Sequence, residues 1–235
     1  WLGEAIGVDE LIYYMFSDRH RQKPDPDRRY DRIYIGGDYG QQNATTFEAF
    51  GLDTYRKKFP GLGEYYHSGR ESGRQKSPSE YARDLVEFMD ELHEQYENRI
   101  FYIFLDPSAK GLAEEVRRAT RTGLDYQVFL RDAENDVALG ISRVQKALVF
   151  DIMSISPKQE YAVQEFGTYE YDKKSIEKGK EVPVKEADHC MDAIRYVVMG
   201  AWSKIKHWLP LDIVEDDVNI GDIGSREVRE EDEYL

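Results

Sequence analysis

The 235-residue chain predicts an α/β domain built on a mixed β-sheet, and three observations carry that reading. An apolar strand at Ile33 to Gly37 is followed, across the turn Gly40-Gln-Gln-Asn43, by Thr45 to Leu52, rich in β-branched and aromatic residues, so the sheet opens with an antiparallel pair. A second run, Ile100 to Leu105, is apolar throughout, as a strand covered on both faces requires; a helical segment and another strand follow it, the succession that makes strands parallel. Between the two, Tyr81, Leu85, Phe88, Met89, Leu92 and Tyr96 recur at the spacing of an amphipathic helix that packs on the sheet.

The remaining elements follow in chain order. Glu10 to Phe16 reads as a short apolar strand and Pro24-Asp-Pro-Asp27 as a linker, which puts residues 1–29 in a lead-in, 30–207 in the domain proper and 208–235 in an acidic tail. Glu64 to His67 reads as a third strand. Ser68 to Ser77, with two glycines and three basic residues, reads as a mobile loop before the helix that starts at Ser77-Pro78-Ser79-Glu80. Gly111 to Thr120 is a helix and Tyr126 to Leu130 a strand; Asn135 to Ala147 and Pro157 to Gly167 are helices flanking a short strand at Leu148 to Phe150. Thr168 to Asp172 and Glu181 to Val184 bracket a lysine-rich stretch as a β-hairpin with a basic tip, directly before a last helix from Asp188 to Lys204.

Composition narrows the function. A content of 40% hydrophobic and 13% aromatic residues supports one substantial core, and no apolar run approaches the roughly 20 residues of a membrane span. The opening Trp1-Leu-Gly-Glu carries no basic or apolar export signal, and a start on Trp is expected of an excised part of a longer polypeptide. Cys190 is the only cysteine, which excludes an internal disulfide and a multi-cysteine zinc site, and it reads as a packing residue. The formal charge of −14 argues against coating nucleic acid through the overall field. Residues 212–235 hold ten acids against two arginines, a net −8 that leaves −6 for the rest, so the tail reads as solvated, or as a contact for a basic partner or a DNA mimic.

Three acids stand out from this background. Asp38 and Asp106 each follow an apolar strand, and Asp192 lies inside the last helix, where aspartate is a poor helix former and needs a reason. Folding that gathers them at a sheet edge makes carboxylates that repel unless a divalent cation neutralises them. His189, three residues before Asp192, shares its helix face and offers a fourth ligand; such an oxygen-rich set suits Mg²⁺ or Mn²⁺. Singly, Asp38 and Asp106 read equally well as turn residues and Asp188 as the helix N-cap. Met191, Ile194, Val198 and Ala201 form a separate stripe for packing, while His20, His67, His93 and His207 read as solvated.

With these residues in place, strand-Asp38 before a hairpin, strand-Asp106 and the terminal Asp188-His-Cys-Met-Asp-Ala-Ile-Arg-Tyr196, the chain resembles the nuclease domain of the large terminase subunit of tailed double-stranded DNA bacteriophages. Leu11-Ile-Tyr13 with Phe16 and His20 is similar to the segment joining that family's ATPase to its nuclease. The resemblance implies an RNase H-like fold, a central mixed sheet with helices on both faces. It implies a metal-dependent endonuclease that cuts concatemeric double-stranded DNA during genome packaging, in the cytoplasm of the infected bacterial host. Two Mg²⁺ or Mn²⁺ ions are implied, Asp38 between them, Asp106 and Asp192 on either side and His189 on one.

The implied partners are the ATPase domain of the full-length chain, the small terminase subunit and the portal protein, with no membrane. The phosphate-cradling Gly-x-x-x-x-Gly-Lys-Ser/Thr loop of an ATPase does not occur in the sequence. Arg70, Arg74 and Lys76 on the loop and Lys173, Lys174, Lys178 and Lys180 on the hairpin are the expected DNA-backbone contacts. Lys185 and Asp188 are expected to support the ligands from behind, and Arg195 and Tyr196 to orient and pack the helix. Two alternatives stay open: another RNase H-like nuclease, a junction resolvase or ribonuclease H, and a noncatalytic interaction module of the packaging motor.

Overall fold

The computed structural model describes residues 11–40, 43–211 and 213. Six strands form one mixed sheet in the order β5-β4-β1-β2-β3-β6. β1 (Arg32–Tyr39), β2 (Ala44–Leu52) and β3 (Phe59–Ser68) run antiparallel in sequence, as the opening pattern predicts. β4 (Ile100–Leu105) joins β1 in parallel, and β5 (Gln127–Asp132) joins β4 in parallel through the intervening helix.

Period-two alternation sorts the side chains of these strands into two cores. Ile33, Ile35, Phe101, Ile103 and Leu105 face one side, where they meet α2 (Pro78–Tyr96) and α3 (Lys110–Ala119). Tyr34 and Phe104 face the other, against α4 (Val137–Val149), α5 (Glu160–Phe166) and α7 (His189–Ile205). The sheet is therefore covered by helices on both faces. α2 opens as its sequence suggests, with Ser77 accepting from the Glu80 N–H while the Glu80 carboxylate returns to the Ser77 N–H at 2.8 Å.

Several local expectations are corrected. The apolar run expected as a strand up to Phe16 makes a single bridge, Leu11 to Glu170, and then turns, with Glu10 outside the described residues. Its apolarity serves side-chain packing: Ile12 and Tyr13 are buried in the same core as α7. Leu148 and Val149 belong to α4, because Leu148 completes the buried stripe of Val144 and Ala147. The chain then reverses at Asp151, in the left-handed region at φ +52°, and the strand comes later as β6 (Met153–Ser154) beside β3.

The Ser68 to Ser77 segment contains a helical turn, α1 (Gly69–Ser72). The basic hairpin has paired arms, with Asp172 N–H on the Val182 carbonyl and Val184 N–H on that of Glu170. Its tip is a helical turn, α6 (Lys173–Ile176), because the Asp172 carboxylate caps the Ser175 N–H at 2.8 Å. His20 is buried rather than solvated; its ring stacks on Phe16 and its Nε2 donates at 3.1 Å to the Leu148 carbonyl at the end of α4, which also accepts the Asp151 N–H. No described helix is long and apolar enough to cross a membrane. Of the acidic tail, residues 212 and 214–235 lie outside the described residues.

Candidate metal centre

The strand register places the first two acids. Gly37 of β1 is opposite Leu105 of β4, so Asp38 and Asp106 are the next residues along two neighbouring parallel strands. Both share the parity of Tyr34 and Phe104 and so point to the face that α7 covers. α7 lies close on that face because β1 and α7 carry glycine at the points of contact. A Cβ on Gly36 would stand 1.9 Å from the Ala193 carbonyl oxygen, and one on Gly200 would stand 2.3 Å from the Phe104 ring. This approach brings His189 and Asp192, in the first turn of α7, over the ends of β1 and β4.

α7 starts without help from its own N-cap side chain: Asp188 makes no capping bond. The cap comes from α5 instead. One oxygen of Glu165, Oε2, accepts the N–H groups of Cys190 at 2.8 Å and Met191 at 3.1 Å. Burial pushes the Glu165 carboxyl up to about 8, against the lowering effect of those donors and of His189. Nothing in the sequence marks this residue, which sits in a short helix like any surface glutamate.

Each acid of the trio has a protein partner. His189 Nδ1 lies 2.7 Å from Asp38 Oδ2, across 151 residues of chain. Burial raises the Asp38 carboxyl; the hydrogen bond and charge of His189 oppose this, and the neighbouring charges of Asp192 and Asp106 add to it. That bond in turn raises His189 above an ordinary histidine, with burial opposing. Around Asp106 burial also acts to raise the carboxyl. It is outweighed by hydrogen bonds from Ser108 and from the Tyr196 hydroxyl at 2.9 Å and by the charge of Arg195, so Asp106 is held below the usual carboxylate range. Asn135 adds a donor to Asp106 at 3.1 Å, a contact that no pattern in the sequence predicts. Asp192 is bound by the buried guanidinium of Arg195 at 2.7 Å. Arg195 and Tyr196, expected to orient and pack the helix, are buried in it and also hydrogen-bond two of the acids.

Three carboxylates and an imidazole at one sheet edge are the donor set that hard divalent cations take. The residues present fit such an ion chemically, since burial, with a smaller addition from the charges of Asp192 and Asp106, raises the Asp38 carboxyl, and a bound cation would stabilise its ionised form. Among the described residues, the one set of three potential ligands with atoms all within 4.8 Å of one another is Glu48, Glu64 and Cys190, beneath the start of α7. That set is a hydrogen-bonded knot. Gln159 at 2.8 Å and Thr46 at 3.1 Å both donate to the Glu48 carboxyl, and burial with the charge of Glu64 keeps that carboxyl protonated well above its ordinary range.

The expected DNA contacts divide into two groups. Arg70, Lys185, Asp188 and His189 line a cleft of about 290 Å³ with Asn43, Ser68, Glu71 and Glu186, so the loop opens beside His189, while Asp38, Asp106 and Asp192 do not line it. Arg74 is paired with Glu80, and Lys76 is half-buried between Asp84 at 2.7 Å and the Tyr65 hydroxyl at 3.2 Å. Lys173, Lys174, Lys178 and Lys180 are exposed on α6 and the turn after it.

A mixed sheet with acids at the ends of two neighbouring parallel strands, faced by a third acid on the covering helix, defines an RNase H-like α/β domain. Among solved structures the chain is similar to the large terminase of a thermophilic bacteriophage in complex with ATP-γ-S. The two share 33% identity at a TM-score of 0.69, over 80% of this chain and 45% of that protein, so the chain spans less than half its length. It is also similar to the nuclease domain of the P22 large terminase, at 15% identity over 89% of this chain and 97% of that domain, TM-score 0.60. The large terminase nuclease of the thermophilic phage G20c with bound magnesium matches at 16% identity over 80% and 96%, TM-score 0.52. At the last two identities the likeness is one of fold. No protein-family model and no curated protein matches the chain. The resemblance carried by the three acidic motifs therefore holds for the fold as a whole: the chain resembles the nuclease domain of phage large terminase subunits.

Proposed function

We propose that this chain is a divalent-metal-dependent endonuclease that cuts concatemeric double-stranded viral DNA during genome packaging. The observation that carries the proposal is the placement of Asp38 and Asp106 at the ends of adjacent parallel strands, on the face where α7 presents Asp192 and His189. These four side chains would hold Mg²⁺ or Mn²⁺, in the two-ion arrangement of the family. Bound there, the ions would supply Lewis-acid stabilisation of the charge that builds on the attacking and leaving oxygens of an in-line phosphodiester displacement.

The chain's own residues do the rest. Tyr196 and Asn135 fix the Asp106 carboxylate, Arg195 fixes that of Asp192, and Glu165 holds the first turn of α7 in place. Arg70 and Lys185 at the cleft, and the lysines of the α6 tip, are placed to contact phosphates, which positions a duplex without reading its sequence. Arg74 and Lys76 would contribute only by leaving Glu80 and Asp84. The partners proposed with this role are double-stranded DNA, an ATPase domain in the full-length chain, the small terminase subunit and the portal protein, in the cytoplasm of an infected bacterial host.

Plasmid cleavage in Mn²⁺, Mg²⁺, Ca²⁺ and EDTA, beside a folded Asp38→Asn variant, tests the proposal. Nicking and linearisation in Mn²⁺ or Mg²⁺ that vanish in EDTA and in the variant are expected; failure to cut under every metal refutes it for this chain. One observation favours the noncatalytic reading: every acid of the trio already has a protein partner. Under that reading Asp38→Asn costs stability, and divalent ions leave the melting temperature unchanged.

A further inference from the structure

A second recess opens on the face that carries the metal centre, beside the C-terminal half of α7. Its volume is about 540 Å³, within the range of ligand pockets, and none of the four proposed metal ligands lines it. The strand register builds its floor. Tyr34, Tyr102 and Phe129 stand opposite one another on β1, β4 and β5, their rings a stacked row with centroids 5.4 and 4.9 Å apart. Phe104, two residues along β4 from Tyr102, shares its face and has Arg131 as its partner on β5. Of these, Tyr34, Tyr102, Phe104 and Arg131 line the recess.

The walls are cationic. Arg32 lies over the Tyr102 ring at 5.4 Å, and its Nε is buried without a hydrogen-bond partner among the described residues. The exposed side chains of Arg131 and Lys204 make no hydrogen bond or ion pair with any described residue. Two acids border the recess, and neither neutralises these groups: Glu134 pairs with Arg143 at 4.0 Å, and Asp132 has the parity of Leu130, which faces the α2 side of the sheet. In a chain of formal charge −14, three cations without acidic partners around an aromatic floor suit an anion that also carries an apolar ring.

We propose that this recess holds one nucleotide of an unpaired DNA strand, its base against Tyr102 and Phe104 and its phosphate on Arg131 and Lys204. A base inside a duplex keeps its faces stacked and its edge paired, so only an unpaired nucleotide can present both groups here. The recess adjoins the metal centre. Asp106 follows Phe104 by two residues, about 7 Å of strand, and Asn135, next to Glu134, donates to the Asp106 carboxylate at 3.1 Å. The inference rests on the proposed function for its substrate and names the state of that substrate: the duplex is opened locally and one strand is drawn along β4 toward the acids.

Anisotropy of a fluorescein-labelled oligothymidylate of about eight nucleotides, measured in EDTA so that neither metal nor cleavage takes part, tests the recess. Arg131→Gln/Lys204→Gln, two exposed changes that leave the core intact, is expected to weaken binding about tenfold and to lower the slope of log affinity against log salt by about 1.4. Tyr102→Leu is expected to weaken binding about tenfold with that slope unchanged. Arg117→Gln/Arg121→Gln removes the same charge from the α3 side of the sheet and is expected to leave affinity within about twofold. Binding that survives both recess variants, or that falls equally in the α3 control, overturns the proposal. So does an oligonucleotide that binds no tighter than thymidine monophosphate, which would mark a site for a free nucleotide. Plasmid cleavage keeps the two readings apart: cutting by the wild type with oligonucleotide binding indifferent to the recess refutes the recess alone, and recess-dependent binding without cutting under any metal refutes the nuclease alone.

Discussion

Glu165 is expected to make the stability of this protein depend on pH in a way that a single substitution removes. Its folded carboxyl is raised by burial to about 8, against 4.5 for an ordinary glutamate. Between those values the folded chain keeps a proton that the unfolded chain releases. The stability this contributes is complete below pH 4.5 and is lost as pH rises to about 8, at up to 1.36 kcal/mol per pH unit and at most about 5 kcal/mol in all. Both capping N–H groups use one oxygen, Oε2, so the protonated acid still caps α7. Glutamine reproduces that neutral form. Urea unfolding of wild type and Glu165→Gln at pH 5.5 and 8.5 is the assay: the variant is expected to gain on the wild type by several kcal/mol at the higher pH. Glu165→Ala, which orphans two buried donors, is expected to lose about 2–4 kcal/mol at both. A wild type to glutamine difference that does not change with pH refutes the reasoning.

Other perturbations test the rest of the arrangement. Gly36→Ala places a methyl group 1.9 Å from the Ala193 carbonyl, and is expected to cost about 3 kcal/mol or more by urea unfolding and to abolish cleavage by lifting α7 from β1. Saturating Mn²⁺ at about 100 times its dissociation constant is expected to stabilise the wild type by about 2.7 kcal/mol in thermal unfolding, and Asp38→Asn by much less. His189→Ala, which leaves the three carboxylates, is expected to weaken Mn²⁺ binding and slow cutting, while each aspartate-to-asparagine change abolishes it. Replacing Lys174, Lys178 and Lys180 by alanine is expected to weaken duplex binding alike for all sequences and to lower the slope of log affinity against log salt by about 3.

Much of this was legible in the sequence because period and punctuation agree there. The hairpin of β1 and β2, the continuous apolar run of β4 and the helical stripe of α2 each leave one choice of element, and the strands deliver Asp38 and Asp106 to the same edge. Short apolar runs were the weak point. Leu11 to Phe16 and Leu148 to Phe150 are as apolar as strands, but their partners are side chains on α5, α7 and β6 that no local pattern announces. The supporting contacts were equally hidden. Glu165 and Asn135 look like surface residues until α5 and the loop before α4 are placed against the acids.

The bond between Asp38 and His189 closes a loop of 151 residues, and Asp192 lies farther along still. A chain growing from the ribosome therefore carries two acids at a sheet edge long before the third arrives, and no centre exists until the last helix docks. For the nuclease proposed above, this order of assembly would withhold cutting until α7 has docked on the sheet. A copy that lacks α7 would lack Asp192 and His189, and with them the proposed centre.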